Sequence, residues 1–242
     1  MRLLSLDKFD IIFQPLIGKI CGIVDGYGNP GDRLIDAATR QLLEEFGIKY
    51  ITINPFCDDI TSSSIDIILL FGGGSIGGPR QCILARHAAL EYNLPCVILP
   101  QSWHKSEELS MYHKVYIREK ASLSFYPNGI FAPDLALGYD FPKMPSPRLN
   151  KGIFLRKSGH AKFNHLKAVD PATFCYLPQD YFNFLSDYKH VITDRLHLAI
   201  SALGLGRKTT LLPVTYHKNR SMWETWLKDL GCEWADEPSY DI

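Results

Sequence analysis

An α/β architecture of two doubly wound lobes is what this sequence predicts, and three observations predict it. Short apolar, β-branched runs alternate with stretches of helical periodicity along the 242 residues. One loose, proline-bearing stretch, DLALGYDFPKMPSPRLNK, interrupts that alternation with Pro142, Pro145 and Pro147. Glycine-rich or polar loops follow several of the apolar runs, at the strand ends where α/β sheets bind ligands.

In chain order, strands are expected at 19–26, 49–54, 65–71, 95–100, 114–118 and 129–133. Between the first two, Leu34, Ile35, Ala38, Leu42, Leu43 and Phe46 recur at helical spacing and stop at Gly47, which predicts a helix over 32–46. A second helix is expected over 80–92, and a short helical segment over 105–112. The proline-bearing stretch reads as a linker, dividing an N-terminal lobe (1–140) from a shorter C-terminal lobe (141–242). Beyond it, strands are expected at 151–155, 173–176, 190–193 and 209–212, with helices at 195–205 and 222–230. Two such lobes would put a cleft between their strand carboxyl ends.

Composition narrows the function. Lys plus Arg equal Asp plus Glu at 26 each, so no long-range field would gather nucleic acid or acidic lipid. An anion site must then be local, made by a few cations meeting in one place. No run approaches the ~18 apolar residues of a membrane helix. The apolar start is broken by Asp7, Lys8, Asp10 and Gln14 with no small-residue cleavage site after it, and reads as folded protein. The six cysteines stand singly, most in apolar runs, as buried thiols in a cytoplasmic protein do.

Four loops carry the residues suited to chemistry. The first, Gly26–Asp32, runs straight into a helix whose N–H groups attract anions; equally, it is a tight turn with Asp32 suiting the dipole. The second holds five glycines in the seven residues 72–78, including Gly73 and Gly74 beside Ser75. It suits a backbone packed against a ligand, or a flexible connection, and lacks the G-K-[ST] ending of a phosphate loop. The third places Arg118 at a strand end, a bidentate partner for a carboxylate or phosphate when not salt-bridged. The fourth, Thr193-Asp194-Arg195-Leu196-His197, opens a helix with two potential cations, which the dipole disfavours unless an anion sits there. The alternative is that Asp194 caps the helix, Arg195 pairs with it and His197 packs.

GYGNPGDRLI, LLFGGGS, VILPQS, YIREKASL with FAPDLAL, and VITDRLHLAI followed by TYHK resemble, in order, the polysaccharide pyruvyl transferase family. The resemblance covers about 26–218 and implies a fold like that of GT-B glycosyltransferases. It implies transfer of pyruvate from phosphoenolpyruvate to sugar hydroxyls as a ketal, with Arg118, Arg195, His197 and Lys218 holding or activating the donor. Asn29, Gly73, Gly74, Ser75 and Gln101 join the expected substrate-binding set.

The chemistry then expected needs no cofactor besides the donor substrate and no metal, since no His/Cys/carboxylate cluster has ligand spacing. Arg118, Arg195 and Lys218 would neutralise phosphoenolpyruvate, and His197 would protonate its methylene. The base for the hydroxyls lies among His104, Asp32 and Asp194. Partners are phosphoenolpyruvate and a sugar or oligosaccharide acceptor, free or lipid-linked. Trp103 is open to stacking on a sugar face or folding onto the core. The other histidines, His87, His113, His160, His165, His190 and His217, are read as structural or exposed. A nucleotide-sugar glycosyltransferase and a non-catalytic glycan-binding relative are the competing readings.

Overall fold

The computed structural model describes residues 1–26, 28–60, 64–157, 159–163 and 168–239, so Tyr27 and His165 lie outside the described residues. It comprises two compact units. The N-terminal unit holds Leu4–Gly28 and Ile35–Gly138; the C-terminal unit holds the chain from Tyr139 onward together with Met1–Leu3 and Asn29–Leu34.

In the N-terminal unit the strands are β1 (Ile20–Val24), β2 (Lys49–Thr52), β3 (Ile67–Leu70), β4 (Gly73–Ile76), β5 (Cys96–Trp103), β6 (Lys114–Ile117) and β7 (Ile130–Phe131). They pair in parallel in the order β2-β1-β3-β5-β6-β7, with β4 also on β5. Central β3 and β5 are buried along their whole length, which is why they read as continuous apolar runs, whereas edge strand β2 keeps Lys49 and Ile51 exposed. The core gathers Val24, Ile68, Leu70, Ile98 and Ile117.

Helix α1 (Pro30–Glu45) buries Leu34, Ile35, Ala38, Leu42 and Leu43. Its start is capped by two side chains: Asn29 Oδ1 accepts from Gly31 N at 2.9 Å, and Asp32 Oδ2 accepts from Asn29 N at 2.9 Å. Pro30 at the first helical position costs no hydrogen bond. Helix α2 (Arg80–Leu90) follows β4.

The C-terminal unit has β8 (Leu149–Phe154), β9 (Tyr188–Thr193), β10 (Lys208–Leu211) and β11 (Glu233–Trp234), all parallel in the order β11-β10-β9-β8. Its helices are α3 (Pro178–Ser186), α4 (Leu196–Gly204) and α5 (Lys218–Met222), the last continued by a π-helical turn over Trp223–Leu227. Parallel α/β organisation, as expected, describes each unit.

Four local expectations are corrected. Residues 173–176 are no strand: the Asp170 carboxylate caps a 3₁₀ turn, Pro171–Thr173, and Phe174 and Tyr176 are exposed. No helix forms over 105–112, because Glu107 turns to accept from Arg86 and from Gly77 N. The glycine run is not a flexible connection, since Gly73–Ile76 is a strand on β5. The helix at 222–230 begins earlier, at Lys218, and loosens into the π turn. Helix α3 escaped the periodicity reading; its signal is Pro178 with Asp180, whose carboxylate accepts from Tyr176 N and Leu177 N at 2.8 Å each.

Candidate functional site

Strands β8 and β9 of the C-terminal unit end side by side, Phe154 in register with Thr193. The next residues, Arg156, Asp194 and Arg195, therefore emerge together at the carboxyl end of a parallel sheet. Asp194 Oδ1 accepts from Arg156 N at 2.8 Å, and Asn219 Nδ2 ties Asp194 O to Leu212 O at 2.8 and 2.9 Å. Arg195 donates from Nε and Nη2 to the two oxygens of Asp170 at 2.5 and 2.7 Å, a bidentate pair in which Asp170 is 1% exposed and Arg195 9%.

The two acids differ in their electrostatics. Burial works to raise Asp170, but hydrogen bonds from Arg195 and from Lys157 N, with the Arg195 charge, hold its carboxyl below the usual range. Burial pushes Asp194 up to about 6, against the Arg156 N–H bond and the charges of Arg156 and Arg195. Its Oδ2 is buried with no hydrogen-bond partner among the described residues, and the same holds for Arg156 Nε. Burial lowers Arg156, and the neighbouring Arg195 charge adds to that, while Asp194, Tyr216 and Asp170 oppose it. Asp194 thus does not cap α4 or pair with Arg195 through its side chain; Asp170 takes that place.

Two residues past Arg195, His197 sits in the first turn of α4, and its backbone oxygen accepts from Ser201 Oγ at 2.8 Å. The His197 ring lies against Gly31: a Cβ there would stand 2.7 Å from both His197 Cβ and Nδ1. Asn29, Gly31 and Asp32 are thereby brought to the TDRLH element. The Asp32 carboxylate accepts from both Asn29 N and Asn29 Nδ2, so the sequence's helix-start reading of Asp32 is realised. Lys218 Nζ lies 5.5 Å from the centre of the Tyr216 ring, which packs on His160 with centroids 4.5 Å apart and edge-on to His217.

The other expected site residues belong to the N-terminal unit and engage one another there. Gln101, 0% exposed, accepts from Ser75 N at 2.8 Å and donates to Phe71 O at 2.6 Å. Arg86 Nη1 donates to Ser75 Oγ at 2.9 Å and is itself clamped on Glu107. Gly73 and Gly74 are held in β4 by this scaffold, so Gly73, Gly74, Ser75 and Gln101 serve first to pin β4 to β5.

Arg118 does not point outward. It is 1% exposed, donating to Ser102 Oγ at 2.9 Å and Asp134 Oδ2 at 2.7 Å, with Glu119 at 3.6 Å. Trp103 is folded onto the core, stacked on Tyr126 with centroids 5.5 Å apart. His104 follows β5, its N–H donating to Ile76 O at 3.0 Å.

Sequence reading missed Asp170 and Arg156. Arg156 carries a usable signal, an arginine just past a strand end, the same signal that points to Arg118. Asp170 had none, lying 25 residues before Arg195 in an irregular stretch. Among the described residues no three His, Cys, Asp or Glu side chains are grouped to hold a metal, and no helix is long and apolar enough to cross a membrane.

A family model described as polysaccharide pyruvyl transferase matches residues 29–216. The chain belongs to the polysaccharide pyruvyl transferase family. Among solved structures, a functionally uncharacterized protein from Klebsiella pneumoniae subsp. pneumoniae is similar at 21% identity, covering 97% of this chain and 100% of its own, with a TM-score of 0.78. That likeness shows the fold alone. The S. aureus MnaA–UDP co-structure is more distant, at 10% identity and a TM-score of 0.47, with 82% of this chain and 80% of that one covered. No curated protein matches the sequence.

Proposed function

We propose that this chain transfers pyruvate from phosphoenolpyruvate to two hydroxyls of a sugar acceptor, forming a cyclic ketal and releasing inorganic phosphate. The observation that carries this reading is the gathering of Arg156 and Arg195 at adjacent strand ends with His197 in the turn that follows. Family membership supplies the pyruvyl group and the polysaccharide.

Arg156, whose Nε has no partner among the described residues, replaces Arg118 as the leading guanidinium for the donor's carboxylate or phosphate. Arg195, aligned by Asp170, adds a second charge, and Lys218 serves phosphate as a point charge. His197, as imidazolium, protonates the methylene carbon C3, which leaves C2 electron-poor. A sugar hydroxyl adds to C2 and gives its proton to a base. The C2–O bond to phosphorus then breaks, the electron pair leaving with phosphate, and a second hydroxyl closes the ketal. Of the candidate bases, Asp32 already accepts two bonds from Asn29. Asn29, Gly73, Gly74, Ser75 and Gln101 act here by shaping backbone and fixing strands, not as direct ligands.

The test is phosphate release from phosphoenolpyruvate against a panel of free and lipid-linked oligosaccharides, with the product analysed for the ketal. Release of a nucleoside diphosphate from a sugar nucleotide, with no phosphate from phosphoenolpyruvate, would replace this reading by glycosyl transfer. Binding of glycan without turnover of either donor would make the chain a recognition module.

A further inference from the structure

We propose that Asp194 is the proton-coupled member of the strand-end cluster: it takes up a proton when an anion binds beside Arg156 and Arg195. The inference rests on the reading of this cluster as the donor site.

The geometry supplies two cations and two carboxylates, and the carboxylates are used differently. Asp170 has both oxygens committed to Arg195. Asp194 has one oxygen on Arg156 N, and the other is buried with no partner among the described residues. The groups facing Asp194 are Arg156 from the end of β8, Arg195 from its own loop, Asp170 from the 3₁₀ turn and Asn219 from α5. Tyr216 acts on Arg156, and Tyr181 of α3 acts on Arg195. Asn219 cannot donate to the spare oxygen through Nδ2, which is spent on two carbonyls, and its own Oδ1 is also buried without a donor.

An arriving anion adds negative charge next to a carboxylate that is 1% exposed and has one oxygen without a partner among the described residues. Like charge and burial both favour its neutral form. Burial, opposed by the Arg156 N–H bond and the charges of Arg156 and Arg195, already holds Asp194 at about 6, so at neutral pH a further rise protonates it. Binding then neutralises Asp194 and removes its negative charge from beside Arg156 and Arg195, while Asp170 keeps its bidentate hold on Arg195. Anion affinity should rise by up to about tenfold per pH unit between pH ~8 and ~6, the limit for one coupled proton. Below that range the unliganded protein is already protonated at Asp194, and the rise stops.

Calorimetric titration at pH 7.5, in buffers of different ionisation heat, counts the protons taken up. Sulfate is the first probe because it does not titrate in this range; phosphoenolpyruvate is the second, its phosphate having a second pKa near ~6. For sulfate the expected uptake approaches one proton in the parent and falls to near zero in Asp194→Asn, with binding retained. Equal uptake in parent and variant, or binding by the parent without uptake, overturns the inference while leaving the donor reading intact. Asp194-dependent uptake with sulfate but no binding of phosphoenolpyruvate upholds the inference and removes the donor reading. Binding of neither anion overturns both. Should Asp194→Asn fail to fold, the sulfate affinity of His197→Asn from pH 8 to 5, where no imidazole remains at that position, decides: a rise that levels near 6 supports the coupling, and a flat profile refutes it.

Discussion

Asp170 and Asp194 lie in one cluster, yet replacing each by asparagine should move stability in opposite directions. Asp170→Asn keeps the shape and removes the charge that both carboxylate oxygens present to Arg195 at 2.5 and 2.7 Å. Arg195 is only 9% exposed, so water cannot replace the lost partner. Breaking one side of a buried pair costs about 3–5 kcal/mol. At about 2–4 °C per kcal/mol for a protein of this size, the melting temperature at pH 7.5 should drop by roughly 6–20 °C. Because Asp170 is held below its unfolded value, its contribution is present above that value and is lost as pH falls through the lower native one. Asp194 runs the other way. Its native value of about 6 exceeds the unfolded 3.8, so the native state binds the proton more readily. That stabilisation is complete below the unfolded value and is lost as pH rises through about 6. Asp194→Asn should therefore melt higher than the parent at pH 7.5, by at most about 3 kcal/mol of stability, and match it near pH 4. Thermal melts of the three proteins from pH 4 to 8 make the comparison. A shift of the same sign for both variants at pH 7.5, or an unchanged Asp170→Asn, refutes the assignment of charges in this cluster.

Gly31→Ala should lower kcat at least tenfold and also lower the melting temperature, because the new methyl would stand 2.7 Å from His197 Cβ, which a ring rotation cannot move away; full activity of the folded protein would detach His197 from the chemistry. His197→Asn should reduce kcat by ~10²–10⁴-fold and leave phosphoenolpyruvate binding, measured by calorimetry, within a few-fold of the parent. Arg118→Ala should lose about 3–5 kcal/mol of stability by stranding Asp134 and Glu119, with the donor affinity of the folded fraction preserved; weakened donor binding at unchanged stability would restore Arg118 as a ligand. Lys218→Ala should weaken donor binding without shifting the melting temperature of the unliganded protein by more than a few degrees.

The fold was legible wherever one element's burial is complete or one-sided. Ile67–Leu70 is buried at every residue and α1 on one stripe, and those patterns survive in the sequence as a run and as a period. Residues 173–176 misled because Phe174 and Tyr176 are aromatic yet exposed, so composition pointed to a strand where no sheet accepts one. In the candidate site, the TDRLH element announced itself through cations at a helix start. What resolves those cations is Asp170, a contact across 25 residues that no local pattern encodes. Arg118 and Arg156 look alike in sequence, each just past a strand. Only the acids folded around the former, Glu119 and Asp134, separate a structural guanidinium from a candidate ligand.

The glycine-rich strand also has a genetic consequence. Gly77 adopts φ +63°, and any β-carbon there would stand 2.2 Å from the backbone oxygen of Lys105. A side chain at Gly77 would force β4 and the 105–112 segment apart, unfastening Gly77 N from Glu107. In a screen scored by missing polysaccharide modification, such alleles would be as severe as alleles of His197. They would differ in kind: heat-sensitive, depleted from the cell by proteolysis, and recoverable at low temperature with normal turnover per folded molecule. Alleles of His197, the acid proposed above, would instead lack turnover per folded molecule.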